Sequence, residues 1–407
     1  MRVNRFVPYV VSLLILLTTE AVCYLGLKIL DTKFAISYDL NLAVLSDQQK
    51  TSLKKFLDAK EGERVRQHPV LGWVSGSQAN SAGMRDNREY DRIPMPGTIR
   101  IAAFGDSFTY GSGVTLAETW AKQLASLAPS LEVLNYGVGA YGLDQAYLRY
   151  LEDGTSYNPH IVFIGYMSEN IARGVNVFRP FYSLAYRDAI FTKPRFKIAD
   201  GELVLLKNPL ATFADYERFL MHDREVLAKL GENDYHYQTN VNRSALDFLA
   251  TARLLKMFRS ALHKHIINPI FKTNGMYNVD SEAYQITLKI FEVFYRRVLE
   301  NDALPIVLIF PDLHDQHRNR NRKQRRYAPL VDDLRARGYY FIDVLEAFEP
   351  YESGYSIAAL TRKWGHYSPL GNKIVAAYIL ENLTGWGFTN LPRLEEEIVN
   401  QKRRNPY

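Results

Sequence analysis

Two hydrophobic patterns alternate along the chain. Short apolar runs closed by glycine, proline or polar residues read as buried strands, and runs with apolar residues recurring on one side read as helices. The strand runs are Ile99–Phe104, Leu131–Asn135, His160–Met167, Leu304–Phe310 and Tyr339–Val344. Helix patterns follow at Glu118–Leu127, Leu143–Leu151, Ser281–Leu299, Leu330–Arg337 and Lys373–Glu381. Strands alternating with helices predict an α/β class with a parallel sheet. Between the third and fourth strands, Arg195–Lys207 reads as a hairpin turning at Asp200-Gly201, and Asp215–Leu230 and Ser244–His263 as helices. This stretch is an insertion, read either as a packed accessory subdomain or as a lid that selects substrate. Its aromatics Phe213, Tyr216, Phe219, Tyr235 and Tyr237 read as core. Asp47–Glu63 is a polar helix, a stalk or connector, and His68–Gly97 reads as loop with turns, its polar part either packed structurally or bordering an active site.

The amino terminus has a different pattern. Arg2 and Arg5 precede a nearly unbroken apolar run from Phe6 to Leu17, and apolar character resumes after Thr18, Thr19 and Glu20 as far as Leu30. About 20 mostly apolar residues cross a bilayer, so the run is long enough. The leading positive charge favours a cytoplasmic amino terminus and a body on the extracytoplasmic (periplasmic) side. Glu20 is costly at mid-bilayer. A signal peptide cleaved near Thr19-Glu20-Ala21 is the competing reading, but the run continues past that site, which favours a retained anchor. Both readings export the protein.

The 407 residues suffice for one large domain with insertions or for two domains, and 47% hydrophobic content fits a sizeable core. A net charge of +6 does not make nucleic acid the default partner, and none is expected. The single cysteine, Cys23, excludes an intramolecular disulfide framework and a cysteine zinc cluster. Six basic residues among the nine from Arg318 to Arg326 read as a solvated loop or a contact with anionic lipid or polysaccharide. Asp312, His314, Asp315 and His317 have no recognised ligand spacing, so neither a metal nor a cofactor is expected.

Chemistry enters at Gly105-Asp106-Ser107, which closes the first strand. A serine at the carboxyl end of a strand and the start of a helix sits where open α/β sheets bind ligands. Its backbone N–H can face a developing oxyanion. An ordinary strand-to-helix turn accounts for those three residues equally well. The second strand ends in the glycine-rich loop Tyr136–Gly142, the third in Ser168-Glu169-Asn170, and Gly365–Asn372 precedes the last helix.

Gly105-Asp106-Ser107-Phe108-Thr109-Tyr110-Gly111 resembles the first block of the SGNH (GDSL-like) hydrolase family, in its exported, membrane-anchored bacterial form, and the later blocks follow in order. The resemblance implies a three-layer α/β/α, flavodoxin-like fold with a parallel sheet and an inserted helical and hairpin subdomain. It implies Ser107 as nucleophile and His366 as its base. The oxyanion donors would be the N–H groups of Ser107 and Ala140 and the side-chain amide of Asn170. Ala140 stands where the family has glycine; a register one residue earlier makes Gly139 the donor. Arg179–Tyr182 is a candidate pocket wall. The family's aspartate, two or three residues before the histidine, is absent, since Trp364 and Lys363 stand there. A Ser107–His366 dyad is therefore expected, unless Asp343, Glu346 or another carboxylate reaches the ring from a different loop.

These readings divide the chain into an anchor or signal (1–30), a connector and extension (31–98), a hydrolase domain (99–390, insertion about 183–280) and a tail (391–407). Resemblance and address together imply a serine esterase acting on acyl esters, often acetyl, of cell-envelope or secreted carbohydrate. The alternatives are an acyltransferase on the same substrates and a non-catalytic polysaccharide-binding or assembly protein.

Overall fold

The computed structural model describes residues 6–34, 43–59, 65–76, 78–183, 186–240, 244–362 and 365–405. Arg2, Arg5, the end of the connector helix at 60–63, Lys363 and Trp364 lie outside the described residues. The strands are β1 (Val65–His68), β2 (Gly72–Ser75), β3 (Ile99–Phe104), β4 (Leu131–Asn135), β5 (Ile161–Met167), β6 (Arg195–Ala199), β7 (Glu202–Leu206), β8 (Leu304–Phe310) and β9 (Phe341–Asp343). Five of them form a parallel sheet in the order β4-β3-β5-β8-β9. Counted along the chain this is the 2-1-3-4-5 order of flavodoxin-like folds, which reverses direction between its first and third strands.

Alternation along each strand supplies both faces of the sheet. Ala102, Phe104, Val162, Ile164, Val307 and Ile309 pack against helices Leu143–Asp153 and Glu282–Glu300. Ile101, Ala103, Phe163, Ile306 and Leu308 pack against Trp120–Leu127, Pro369–Trp386 and Leu391–Arg404. The expected three-layer α/β/α architecture is the observed one.

Several element readings need correction. His68–Gly97 is not all loop, since β1 and β2 pair as an antiparallel hairpin. Its turn requires Gly72 at φ 86°, where a Cβ would meet the Thr192 carbonyl oxygen at 2.3 Å. The connector helix, Asp47–Ala59, is not a free stalk. Its Leu53 and Phe56 are buried with Phe178 and Phe181, which follow β5, and with Tyr216 and Phe219 of the inserted region. The helix expected over 215–230 breaks at His222 into Phe213–Met221 and Asp223–Gly231 because His222 leaves helical geometry, at φ −127° and ψ 47°. The next inserted helix starts later than expected, at Ala250. The stretch 391–407, set apart as a tail, carries the helix Leu391–Arg404, whose Leu394 and Ile398 are buried in the core. The basic run is only partly solvated. Arg325 bridges Asp343, Glu346 and Glu349, and Arg326 bridges Asp312 and Asp315.

One ion pair joins the sheet domain to the inserted region entirely out of solvent. Lys193, just before β6, pairs with Asp144 on helix Leu143–Asp153, and both are fully buried. Burial brings the Lys193 ammonium down to about 8, against the pull of Asp144. Removing one partner of a buried pair strands the other charge. Asp144→Ala is therefore expected to cost about 3–5 kcal/mol in denaturant unfolding. A loss below about 1 kcal/mol would show that the pair does not hold the two regions together.

Candidate active site

The turn after β3 is shaped by two glycines and a cap. A Cβ at Gly105 would meet Thr109 Oγ1 at 2.0 Å, and one at Gly137 would meet the Tyr110 nitrogen at 2.3 Å. Only glycine lets the second loop lie against the short helix Ser107–Tyr110. Asp106 caps that helix, its Oδ1 accepting the Phe108 N–H at 2.9 Å. Arg85, from the segment before the sheet, donates to the carbonyls of Tyr110 and Gly111 and, at 2.7 Å, of Val114. Orphan carbonyls at the end of the turn are thereby satisfied.

His366 Nε2 lies 2.8 Å from Ser107 Oγ, within the reach of a nucleophile and its base. Ser107 is nearly buried and His366 half-buried. The histidine loop is fixed on both sides. Thr361 bridges to Tyr367, the Arg362 N–H donates to the His366 carbonyl at 2.6 Å, and Gly365 turns at φ 77°. Tyr367 is buried against Phe108 and Phe348, and its hydroxyl donates to the Pro311 carbonyl at the end of β8. Ser368 then caps helix Pro369–Trp386, and Asn372 Oδ1 accepts the Trp120 backbone N–H at 3.0 Å. The imidazole itself packs on Phe108, with ring centroids 5.2 Å apart. Asp343 and Glu346 are engaged at β9. Asp343 accepts Arg325 at 2.5 Å and the Tyr327 hydroxyl at 2.9 Å, while Glu346 takes Arg325 and the Tyr378 hydroxyl.

The third loop meets the first through Asp106. Asn170, the first residue of the short helix Asn170–Arg173, donates its amide to Asp106 Oδ2 at 3.2 Å. Arg173 stands 3.6 Å from the same carboxylate and donates to the Tyr141 carbonyl at 2.9 Å. Burial pushes the Asp106 carboxyl up, opposed by Arg173 and the Phe108 and Asn170 hydrogen bonds. Glu169 accepts from Arg173 and from the Tyr182 hydroxyl. Burial opposes its ionisation, but Arg173 beside it holds its carboxyl below the usual range.

The second loop places Ala140 in the left-handed region at φ 63°, a conformation that suits glycine. The two peptides flanking Ala140 are each tied down by a side chain. Trp73 Nε1 donates to the Gly139 carbonyl at 3.0 Å, and Arg179 donates to the Ala140 carbonyl at 2.6 Å. In a trans peptide the C=O and the next N–H point opposite ways, and no peptide here is cis. Holding Gly139 C=O toward Trp73 therefore turns the Ala140 N–H to the other side. Among the described residues neither the Ser107 nor the Ala140 N–H has a hydrogen-bond acceptor. Burial, with Arg173 nearby, brings the Arg179 guanidinium down to about 10.

Sequence reasoning missed three of these residues. Trp73 and Arg85 sit in a stretch whose only legible signal is turn chemistry, and Arg173 is one arginine among many. The order of the blocks in the chain says nothing about which distant side chain holds a loop carbonyl.

Fold and site together define a flavodoxin-like α/β/α protein with a serine–histidine pair and three loops gathered at the carboxyl edge of the sheet. No family model and no curated protein matches the chain. Among solved structures it is similar to a member of the lipolytic protein G-D-S-L family from Veillonella parvula, at 11% identity and a TM-score of 0.34, over 70% of this chain and 99% of that one. It is also similar to the acetylxylan esterase Axe2 from Geobacillus stearothermophilus, at 13% identity and a TM-score of 0.38, over 71% and 96% of the two chains. With TM-scores this low, the fold assignment rests on strand order and layering.

The left-handed alanine makes a measurable prediction. The conformation costs a residue with a Cβ about 1–2 kcal/mol, and glycine gives back about 0.4–1 kcal/mol through its freer unfolded chain. Ala140→Gly should therefore stabilise the protein by about 0.5–1 kcal/mol in denaturant unfolding. An unchanged or lowered midpoint would mean that Ala140 is not strained.

Proposed function

We propose that the protein is a serine esterase that removes acyl groups, acetyl among them, from carbohydrate on the extracytoplasmic side of a membrane. The observation that carries the esterase reading is the 2.8 Å approach of His366 Nε2 to Ser107 Oγ at the carboxyl edge of the sheet. The carbohydrate and the address rest on the family resemblance and on the apolar amino-terminal helix, Val7–Phe34, whose stretch Val7–Thr32 is long and apolar enough to span a bilayer.

In this mechanism His366 Nε2 takes the Ser107 hydroxyl proton as Oγ attacks the ester carbonyl carbon. The carbonyl π pair moves onto oxygen, and the N–H groups of Ser107 and Ala140 with the Asn170 amide receive the charge. The tetrahedral intermediate collapses, its bond to the alkoxide breaks, and His366 passes its proton to that leaving oxygen. Water then repeats the sequence on the acyl-serine, giving a carboxylic acid and free Ser107. Asp106 and Arg173 do not touch the reacting atoms in this scheme. They hold Asn170 and the Tyr141 carbonyl, and so the loops that carry the donors.

Two measurements test the reading. Ser107→Ala should abolish turnover of an aryl acetate and labelling by a fluorophosphonate probe while unfolding at the wild-type midpoint. Wild-type turnover in that variant would refute the assignment. Trp73→Phe keeps a ring against Tyr141 but deletes the N–H that orients the Gly139–Ala140 peptide. Losing an oxyanion donor outright costs about 10²–10³ in kcat, so freeing its orientation should lower kcat about tenfold with KM little changed. A rise in KM alone would make Trp73 a substrate contact instead.

A further inference from the structure

The inserted region carries a surface at odds with a water-soluble subdomain. Over residues 246–267, Leu246, Phe248, Leu255, Phe258, Ile266 and Ile267 are all exposed, from 54% to 76%. Soluble surfaces rarely gather that much apolar area in one segment. The segment does not stand alone, because its helix Ala250–Leu262 packs along the amino-terminal helix Val7–Phe34. On that otherwise exposed helix, Glu20, Cys23, Gly26, Leu27 and Leu30 are half-buried, one face at helical spacing.

Glu20 explains the register. Its carboxylate accepts the Ala250 N–H at 2.6 Å and the Thr251 N–H at 3.1 Å, so it caps the start of the inserted helix. A carboxylate near the middle of an apolar span is expensive unless partners reach it, and here the partners arrive from the insertion. Thr18, Thr19 and Thr32 hydroxyls donate to carbonyls of their own helix, and the exposed charges Lys28 and Asp31 stand near its carboxyl end, where long side chains reach the headgroups. The cations of the segment are disposed in the same sense. Arg253 is half-buried beside Glu20, Lys256 is paired with Asp247 and donates to Ser244 Oγ at 2.9 Å, and Arg259, Lys264 and His265 come later, toward the folded body.

We propose that residues 244–267 form a lipid-facing re-entrant segment. It enters the half of the bilayer nearest the folded body, runs beside the spanning helix from the level of Glu20, and is covered by acyl chains at Phe248, Leu255, Phe258, Ile266 and Ile267. From Glu20 to Thr32 the spanning helix rises about 18 Å at 1.5 Å per residue, close to half of a hydrocarbon core of about 30 Å. The inserted helix is long enough to cover that depth. The proposal rests on the reading of Val7–Thr32 as a membrane span. It adds that the body is docked on the bilayer through its insertion, rather than tethered by one helix.

The test uses the full chain with Cys23→Ser, reconstituted in phosphatidylcholine vesicles. Single cysteines at Leu13→Cys, Phe248→Cys, Phe258→Cys and Met221→Cys carry an environment-sensitive fluorophore. Leu13 reports on the span itself, and Met221, 69% exposed on a different inserted helix, is the water control. Nitroxide-tailed lipid should quench the labels at 13, 248 and 258 at least several-fold more than aqueous iodide does, with the opposite ratio at 221. Iodide-dominated quenching at both 248 and 258 with lipid quenching at 13 overturns the proposal and leaves the anchor intact. Iodide quenching at 13 overturns both. Shielding of 248 and 258 from both quenchers shows a protein cover and also overturns the lipid assignment.

Discussion

The pair formed by Asp106 and Arg173 is the interaction on which the site depends. The two side chains are almost wholly out of solvent. Asp106 closes the serine turn with one oxygen and takes the Asn170 amide with the other, while Arg173 reaches from the third loop to the second at the Tyr141 carbonyl. The loops after β3, β4 and β5 are thus joined by one buried carboxylate and one buried guanidinium. Neither residue is suited to carry reactivity from there. A buried carboxylate facing a cation and two N–H donors is a fixed part, and its value to the site is that the loops cannot move independently.

Much of this arrangement was legible in the chain before any coordinates. The five core strands declare themselves as apolar runs, and the alternation of strands with helices fixes the class. Ser107, Ala140, Asn170 and His366 fall at the ends of successive elements, and the fold brings Ser107 and His366 to hydrogen-bond distance. What stayed hidden has a common physical cause. Trp73, Arg85 and Arg173 act by donating to backbone carbonyls, as does Arg179, which the sequence offered only as a pocket wall, and a carbonyl has no signature in the sequence. The connector helix misled for a related reason. Asp47–Ala59 is polar enough to read as a stalk, and only three of its side chains, Gln49, Leu53 and Phe56, are buried.

Ala140 shows how strain and support are balanced. An alanine at a left-handed position favours relaxation of the loop, and relaxation would rotate the peptide proposed to carry the oxyanion donor. The two adjoining carbonyls are held from opposite sides of the chain, by Trp73 from the segment before the sheet and by Arg179 from the segment after β5. Sites of backbone strain persist only where their surroundings over-determine them. Here the surroundings are two side chains outside the recognisable blocks, so the preceding segment belongs to the site rather than to a linker.

Arg179 also decides what the insertion can do. Its guanidinium donates to Asn176 Oδ1 at 3.3 Å, and Asn176 donates to Asp234 at 2.8 Å. Asp234 further accepts the Val177 N–H at 2.6 Å, while Phe178 and Phe181 lie in the accessory core. A continuous run of buried polar contacts therefore leads from the inserted region to the Ala140 carbonyl. Spatial continuity alone is no evidence of signalling. A lid must separate from the loops it covers, and separating this insertion would break Asp234 from Asn176 and Val177, next to the Arg179 that holds the Ala140 carbonyl. These contacts tie the insertion to the segment that holds the Ala140 carbonyl.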